Sequence, residues 1–320
     1  MKKFFQKRIK ILVYGAGVIG SIYAAKLFDA KNDVTLLARG KRFESLQQNG
    51  VTIREQLTGK KINFRIPLIQ QLETNDFYDL ILVTVRLDQL ESVMPAIKSN
   101  SGSSLVMFML NYPENIQSIA DQLKPKHVVF GFPGVGGIFK ENAIDFIHIK
   151  QQKTTIGETN GEKPETIKKL KSLFEIAGFN VDVNDNIQAW LKTHAVFMAC
   201  VSAAIIKENG DSTQLGKNKN AVKLMVQSIK EGFKALKALG ISITPFNLKT
   251  IFMIMPLWFS VSYWQKAMQG TVGTLAMAPH AKAAKDEIKL IAKKVLEMVH
   301  PSPVATNNLD KLLSEFINSE

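Results

Sequence analysis

A glycine triplet near the N-terminus narrows the fold of this chain more than any other stretch. Gly15-Ala16-Gly17-Val18-Ile19-Gly20 stands between an apolar strand pattern, Lys10 to Tyr14, and a helical pattern, Val18 to Ala30. The spacing fits a strand that turns at once into a helix beneath a pyrophosphate. The first glycine permits the tight turn, the second lets backbone approach the phosphates, and the third allows helix and strand to pack closely. The helix start adds unpaired N–H groups and the positive end of a dipole. A second strand, Val34 to Ala38, falls where the arrangement requires it. A glycine turn of purely structural purpose is the plain alternative, and the flanking elements argue against it. Gly15, Ala16, Gly17, Val18, Ile19 and Gly20 are therefore expected to bind a dinucleotide.

The end of the second strand bears on which dinucleotide. An Asp or Glu there binds the ribose 2′-OH of NAD and repels a 2′-phosphate. This chain has Ala38-Arg39-Gly40-Lys41-Arg42, with no acid before Glu44. Arg39 can make paired hydrogen bonds to a phosphate, and Lys41 and Arg42 raise the local potential. NADPH is the expected cofactor; a solvated basic turn is the alternative.

Beyond this unit, apolar strands at Leu80 to Val85, Leu105 to Met109 and Val128 to Gly131 alternate with helical patterns at Gln89 to Lys98 and Glu114 to Leu123. Such alternation predicts a parallel sheet covered on both faces. Gly134 to Gly157 reads as antiparallel extension strands, followed by a helix from Pro164 to Ala177 and a last strand, Phe179 to Val183. From Asp185 onward helical periodicity dominates, with helices expected at Ile187 to Ile206, Ala221 to Leu239, Pro245 to Met255, Val261 to Met277, Asp286 to Val299 and Asn308 to Ile317. The fold class is thus α/β: an N-terminal Rossmann-type, doubly wound sheet over residues 1–184, then an all-α domain over 185–320, packed around a cleft. Two domains suit a chain of 320 residues.

Composition excludes several classes. Hydrophobic residues at 46% and charged residues at 22% are those of a globular protein. The net charge of +13 favours anionic ligands, and Lys2, Lys3, Lys7, Arg8 and Lys10 read as a solvated start rather than a nucleic-acid patch. The lone Cys200 rules out an internal disulfide and a thiolate metal cluster, and sits in an apolar run as a buried thiol. No metal site is expected. The longest greasy stretch, Ile251 to Trp264, contains Pro256 and falls short of the about 20 residues that span a bilayer, so no membrane partner is expected. A cytoplasmic location is the default. The aromatic and Met-rich run Met253 to Trp264 suits core packing, an apolar pocket wall or a homodimer contact.

At Lys10-Ile11-Leu12-Val13-Tyr14-Gly15-Ala16-Gly17-Val18-Ile19-Gly20, Val34 to Gly40, Asp79 to Arg86, Met109 to Asn115 and Trp190-Leu191-Lys192, the chain resembles the ketopantoate reductases (2-dehydropantoate 2-reductases). The resemblance spans the N-terminal half and fades beyond Ala204. It implies a Rossmann domain joined to a helical one, with NADPH reducing a small-molecule 2-oxo acid in the cleft, in pantothenate biosynthesis for the typical member. By motif, Lys192 corresponds to the catalytic lysine and Asn111 to the asparagine near nicotinamide and substrate. Arg86 stands where the family has a lysine after the fourth strand. Val196 replaces the family's substrate-binding asparagine, and its later serine and glutamate are not recognisable around Gly273 to Ala281. The resemblance therefore implies a divergent branch with an altered acid pocket.

Reduction of a carbonyl builds negative charge on oxygen, so a proton donor or cation must stand there. Lys192, partly desolvated in a cleft, suits that role. His194 points to a different face of the same helix and reads as packing. His280 and Glu287 share a face if 279–298 is one helix, so either could replace the missing glutamate, with ordinary structural roles as the alternative. Two other readings fit the sequence: a dehydrogenase of another hydroxy acid, and an NADPH-binding sensor without turnover.

Overall fold

The computed structural model describes residues 8–159 and 164–319. The basic start at Lys2, Lys3 and Lys7 lies outside them. Strand β1 (Lys10–Tyr14) runs through the glycine turn into helix α1 (Val18–Asp29), and β2 (Asp33–Leu37) returns parallel to β1. Helix α2 (Gly40–Asn49) and strands β3 (Val51–Glu55), β4 (Lys61–Phe64) and β5 (Leu68–Ile69) come next. Periodicity predicts none of these four elements, because their strands are short and half-exposed.

The parallel run continues with β6 (Leu80–Val83), α3 (Leu90–Ser99), β7 (Leu105–Met109), α4 (Ile116–Gln122) and β8 (His127–Phe132). Then come β9 (Val135–Lys140), β10 (Ala143–His148), β11 (Thr154–Glu158), α5 (Pro164–Ile176) and β12 (Val181–Val183). The main sheet has eight strands in the order β12-β11-β8-β7-β6-β1-β2-β5. Its strands from β5 to β8 are parallel, and β11 is antiparallel to β8. The antiparallel reading of 134–157 holds for β9, β10 and β11. However, β9 and β10 leave the main sheet and form a second, four-stranded sheet, β4-β3-β10-β9.

Alternation along β1 shows why both faces are covered. Ile11 and Val13 join a cluster with Tyr23, Leu27 and Phe174, whereas Leu12 and Tyr14 join a second one with Ile81, Phe108 and Phe130. The second cluster continues without a break into Trp190, Phe233, Phe252 and Phe316 of the helical part. The two parts therefore share one core, and each large side chain buried in it contributes roughly 1.5–3 kcal/mol.

After β12 the described residues form helices only: α6 (Ile187–Lys207), α7 (Ser212–Lys217), α8 (Lys219–Ala238), α9 (Phe246–Lys249), α10 (Leu257–Gln269), α11 (Ala278–Ala283), α12 (Lys285–Val299) and α13 (Asn307–Ile317). The fold class is the one expected. Two helices expected as continuous are not. The Pro245 to Met255 stretch is α9 followed by a π-helical turn, Thr250–Ile254, and α10 ends at Gln269 before a second π turn, Gly273–Met277. Gly273 allows that turn, since a Cβ there would lie 2.2 Å from the Met268 carbonyl oxygen. The chain also breaks at Ala284, so 279–298 is two helices. Among the described residues, α6 rather than Ile251 to Trp264 has the length and apolarity to span a bilayer. Its apolar window is 89% buried, as befits a core helix.

Candidate active site

The glycine loop is fixed by backbone geometry. Gly15 has φ +116°, a conformation that side-chain-bearing residues rarely adopt, and its N–H donates to the Leu37 carbonyl at 3.3 Å. The Thr84 hydroxyl, arriving from the end of β6, donates to the Gly15 carbonyl at 3.0 Å. A Cβ on Gly20 would lie 1.9 Å from that carbonyl oxygen, so only glycine lets α1 cross β1 this closely. A Cβ on Gly17, by contrast, would meet nothing within 4 Å. Gly17 caps α1 without a side chain, leaving the first turn's N–H groups open to an anion. This open cradle fits the pyrophosphate of a dinucleotide.

Arg42 braces the loop. Its Nε donates to the Ala16 carbonyl at 3.0 Å, a terminal nitrogen donates to the Ser21 hydroxyl at 3.2 Å, and the guanidinium lies over Phe139. Burial lowers its pKa. Arg39 is exposed at the head of α2 and donates to the Tyr14 hydroxyl at 2.5 Å. Of the basic turn, Arg39 and Lys41 thus remain exposed, while Arg42 is built into the fold.

Asn111 and Arg86 follow β7 and β6 at the same carboxyl edge of the sheet. Asn111 is 6% exposed and its Oδ1 has no hydrogen-bond partner. A buried acceptor without a partner is costly, so this one fits a ligand that donates to it. The Arg86 guanidinium is engaged by Asp88 at 3.1 and 2.9 Å and by the Ala283 carbonyl at 3.4 Å.

Helix α6 is capped by Asn186, whose side chain accepts from the Ala189 N–H. Gln188 ties its first turn to the segment after β7: its Oε1 accepts from the Ile116 N–H at 2.7 Å and its Nε2 donates to the Glu114 carbonyl at 2.8 Å. Lys192 lies four residues on, on the same face of the helix as Gln188. It is half-buried, and burial lowers its pKa. Val196 is fully buried, with Cγ1 2.5 Å from where a Cβ on Gly232 would stand. The position where the resemblance implies a substrate asparagine is thus sealed under α8.

Trp190, His194 and Phe197 occupy another face of α6. They line a cavity of about 850 Å³ together with the segment after β10, the first π turn and α10. None of Gly15 to Gly20, Arg39, Arg86, Asn111 or Lys192 lines it. His194 stacks on Trp190 and packs against Phe132, and its Nε2 has no partner. Burial first, and then nearby His280, push its pKa down to about 3. His280 is held at about 4 by burial and by Arg86. The packing reading of His194 is right for its ring but misses the cavity; an apolar run with one histidine carries no local signal of a void.

Glu287 opens α12, and its Oε1 accepts from the Leu87 N–H at 3.1 Å. It is 3% exposed, and burial raises its pKa to about 7. Because the chain breaks at Ala284, Glu287 and His280 do not share one helix face. Both nonetheless lie close enough to Arg86 to feel its charge.

A doubly wound sheet with an open glycine cradle at its first crossover, roofed by helices, defines a Rossmann-type dinucleotide-binding protein. Residues 11–161 match the family described as ketopantoate reductase PanE/ApbA. A 2-dehydropantoate 2-reductase of Pyrococcus horikoshii is 26% identical over 258 residues, covering 75% of this chain and 78% of that protein. An uncharacterised oxidoreductase of Bacillus subtilis is 29% identical over 198 residues, 60% of this chain and 62% of its own length. A D-mandelate dehydrogenase structure with NADH and anilino(oxo)acetate superposes with TM-score 0.77 at 19% identity, covering 97% of both chains. A 2-dehydropantoate 2-reductase of Geobacter metallireducens superposes with TM-score 0.77 at 14% identity, covering 96% of this chain and 98% of that one. Over its sheet-forming half this chain is similar to the ketopantoate reductases.

Proposed function

We propose that the chain is an NADPH-dependent reductase of a 2-oxo acid, with residues 1–184 holding the cofactor and residues 185–320 supplying the proton donor. The observation that carries this reading is the open cradle at Gly17, with the unpartnered Oδ1 of Asn111 on the same sheet edge. The relatives' names, 2-dehydropantoate 2-reductase and D-mandelate dehydrogenase, point to the same chemistry. Arg39 favours a 2′-phosphate, hence NADPH. The cytoplasmic setting taken as the default belongs to the same proposal.

When bound, the nicotinamide supplies a hydride to the carbonyl carbon. Lys192 gives its proton to the carbonyl oxygen as charge builds there, and its lowered pKa suits that release. The Gln188 tie puts Lys192 on the face of α6 that meets the segment beginning at Asn111. Asn111 accepts from the bound ligand. Arg86 acts at a distance, since Asp88 and Ala283 already take its hydrogen bonds. Val196 offers a substrate hydroxyl no hydrogen bond, which favours another 2-oxo acid over ketopantoate. The same residue favours, as a second reading, an NADPH-binding sensor without turnover.

A panel of 2-oxo acids, assayed for NADPH oxidation with wild type and Lys192→Ala, tests this. A positioned general acid is worth ~10²–10⁴-fold, so Lys192→Ala should lose that much in kcat with unchanged NADPH affinity. Full activity in the variant would overturn the role of Lys192, and no oxidation of NADPH by any acid would favour the sensor.

A further inference from the structure

We propose that the cavity beside α6 binds an aromatic carboxylate, at a site distinct from that of the dinucleotide. The cavity holds about 850 Å³, in the range of small-molecule pockets. Its inner wall is aromatic, from Trp190, Phe197 and Trp264, which are buried. Two of its buried side chains carry polar atoms without partners, His194 Nε2 and Trp264 Nε1, on residues 2% and 5% exposed. Buried polar groups are paired in the great majority of cases, so two orphans on one cavity wall point to an occupant. The indole N–H only donates, so that occupant must bring an acceptor inside.

Charge narrows its identity. Lys150, Lys153 and Lys266 line the cavity and are exposed, against one carboxylate, Asp182. The cation excess selects an anion. A carboxylate has oxygens enough to accept from the indole N–H and, in the tautomer that carries its proton on Nε2, from the neutral His194, while drawn by the lysines. An aromatic ring on the same molecule matches the Trp and Phe wall through offset or edge-to-face contacts. The inference stands apart from the reductase reading, because it requires neither a carbonyl nor a bound cofactor.

Calorimetry with 3-phenylpropionate, an aromatic acid with no keto group to reduce, tests it. Trp190 and Trp264 line the cavity, so quenching of indole fluorescence gives a second readout. Saturable binding is expected, with 3-phenylpropanol and acetate each weaker. Trp264→Phe keeps a ring but removes the N–H, and should weaken binding about ten-fold, the usual cost of one hydrogen bond to a charged acceptor. His194→Phe should act alike, and Lys153→Gln, at an exposed position, covers the case in which a core variant fails to fold. NADPH should not compete. The proposal is overturned if 3-phenylpropionate does not saturate, if 3-phenylpropanol binds equally well, if the folded variants bind like wild type, or if NADPH displaces the acid. A reductase without this binding, or this binding without reductase activity, separates the two readings.

Discussion

The carboxyl edge of the sheet and the helical layer that faces it are built in different ways. At the sheet edge the working atoms are mostly backbone: the Gly15 turn, the open first turn of α1 and the Thr84 bond to the Gly15 carbonyl. These parts come from strand ends, and a few neighbouring residues determine each one. In the helical layer the working atoms are side chains from α6, the π turns, α10 and α12, elements separated by up to a hundred residues. Lys192 and His194 are two residues apart, yet one shares the helix face of Gln188, which is tied to the segment after β7, and the other lines a cavity. Local geometry fixes the first region, and distant packing fixes the second.

That contrast breaks down if single atoms matter equally in both regions. The largest effect is expected at Gly20. A methyl placed 1.9 Å from the Gly15 oxygen cannot be absorbed by a side chain, so Gly20→Ala should cost about 3 kcal/mol or more, at the upper end of overpacking effects. Gly17→Ala meets open space and should leave the melting temperature nearly unchanged while weakening dinucleotide binding. Urea unfolding and cofactor titration of the pair would show it; equal destabilisation by both would refute the loop geometry.

Next comes Glu287, on the helical side of the seam. An acid whose folded pKa is raised from 4.5 to about 7 favours folding fully below the unfolded value and loses that support as pH climbs through 7. Glu287→Gln keeps an acceptor for the Leu87 N–H and removes the charge. The variant should gain roughly 3 kcal/mol over wild type above pH 8, an upper figure from 1.36 kcal/mol per pKa unit, and almost nothing at pH 4. Denaturant melts across that pH range check it, and a pH-independent difference would remove Glu287 as the cause. His194 and His280 work the other way, being held neutral, with support present above 6.5 and lost as pH falls toward 4 and 3.

The smallest effect is expected at Arg39, an exposed side chain bonded to the Tyr14 hydroxyl. Arg39→Ala should lose on the order of 1.5–3 kcal/mol of NADPH affinity, leaving NADH binding alone. Comparative titration of the two cofactors decides it, and an unchanged preference would move the selection elsewhere.

The same contrast explains what could be read from residues. The β1–α1–β2 unit was legible because glycine spacing and strand period are local, and their bounds fall within a residue of the expected ones. Motifs proposed Asn111, Lys192 and Arg86, and the structure sets Asn111 and Arg86 after strand ends and Lys192 on the Gln188 face. The antiparallel β9–β10 pair was legible, but its union with β3–β4 in a second sheet was not, since that pairing joins segments about ninety residues apart, as in Ile53 with Ile144. The cavity was not legible either. A void is a property of what several distant elements leave unfilled, and Trp190, His194 and Phe197 at helical spacing look the same whether or not a neighbour fills the space beside them.

The two π turns that bracket α10 carry a consequence for how such a protein can diverge. In each, the backbone closes a ring one residue wider than in an α-helix, as the Met255 N–H does on the Thr250 carbonyl at 2.9 Å. Each turn therefore accommodates a single surplus residue. Deleting one residue from Thr250–Ile254 would restore ordinary winding and turn α9, which runs directly into this turn, by about 100° relative to the extended link at Met255 and Pro256, one α-helical step. Phe246, Asn247 and Leu248 of α9, which line the cavity, would swing together, with no other substitution. Insertion and deletion at the first of these turns would thus let a lineage reset one stretch of the pocket wall in one genetic event, leaving the sheet and its glycine loop untouched.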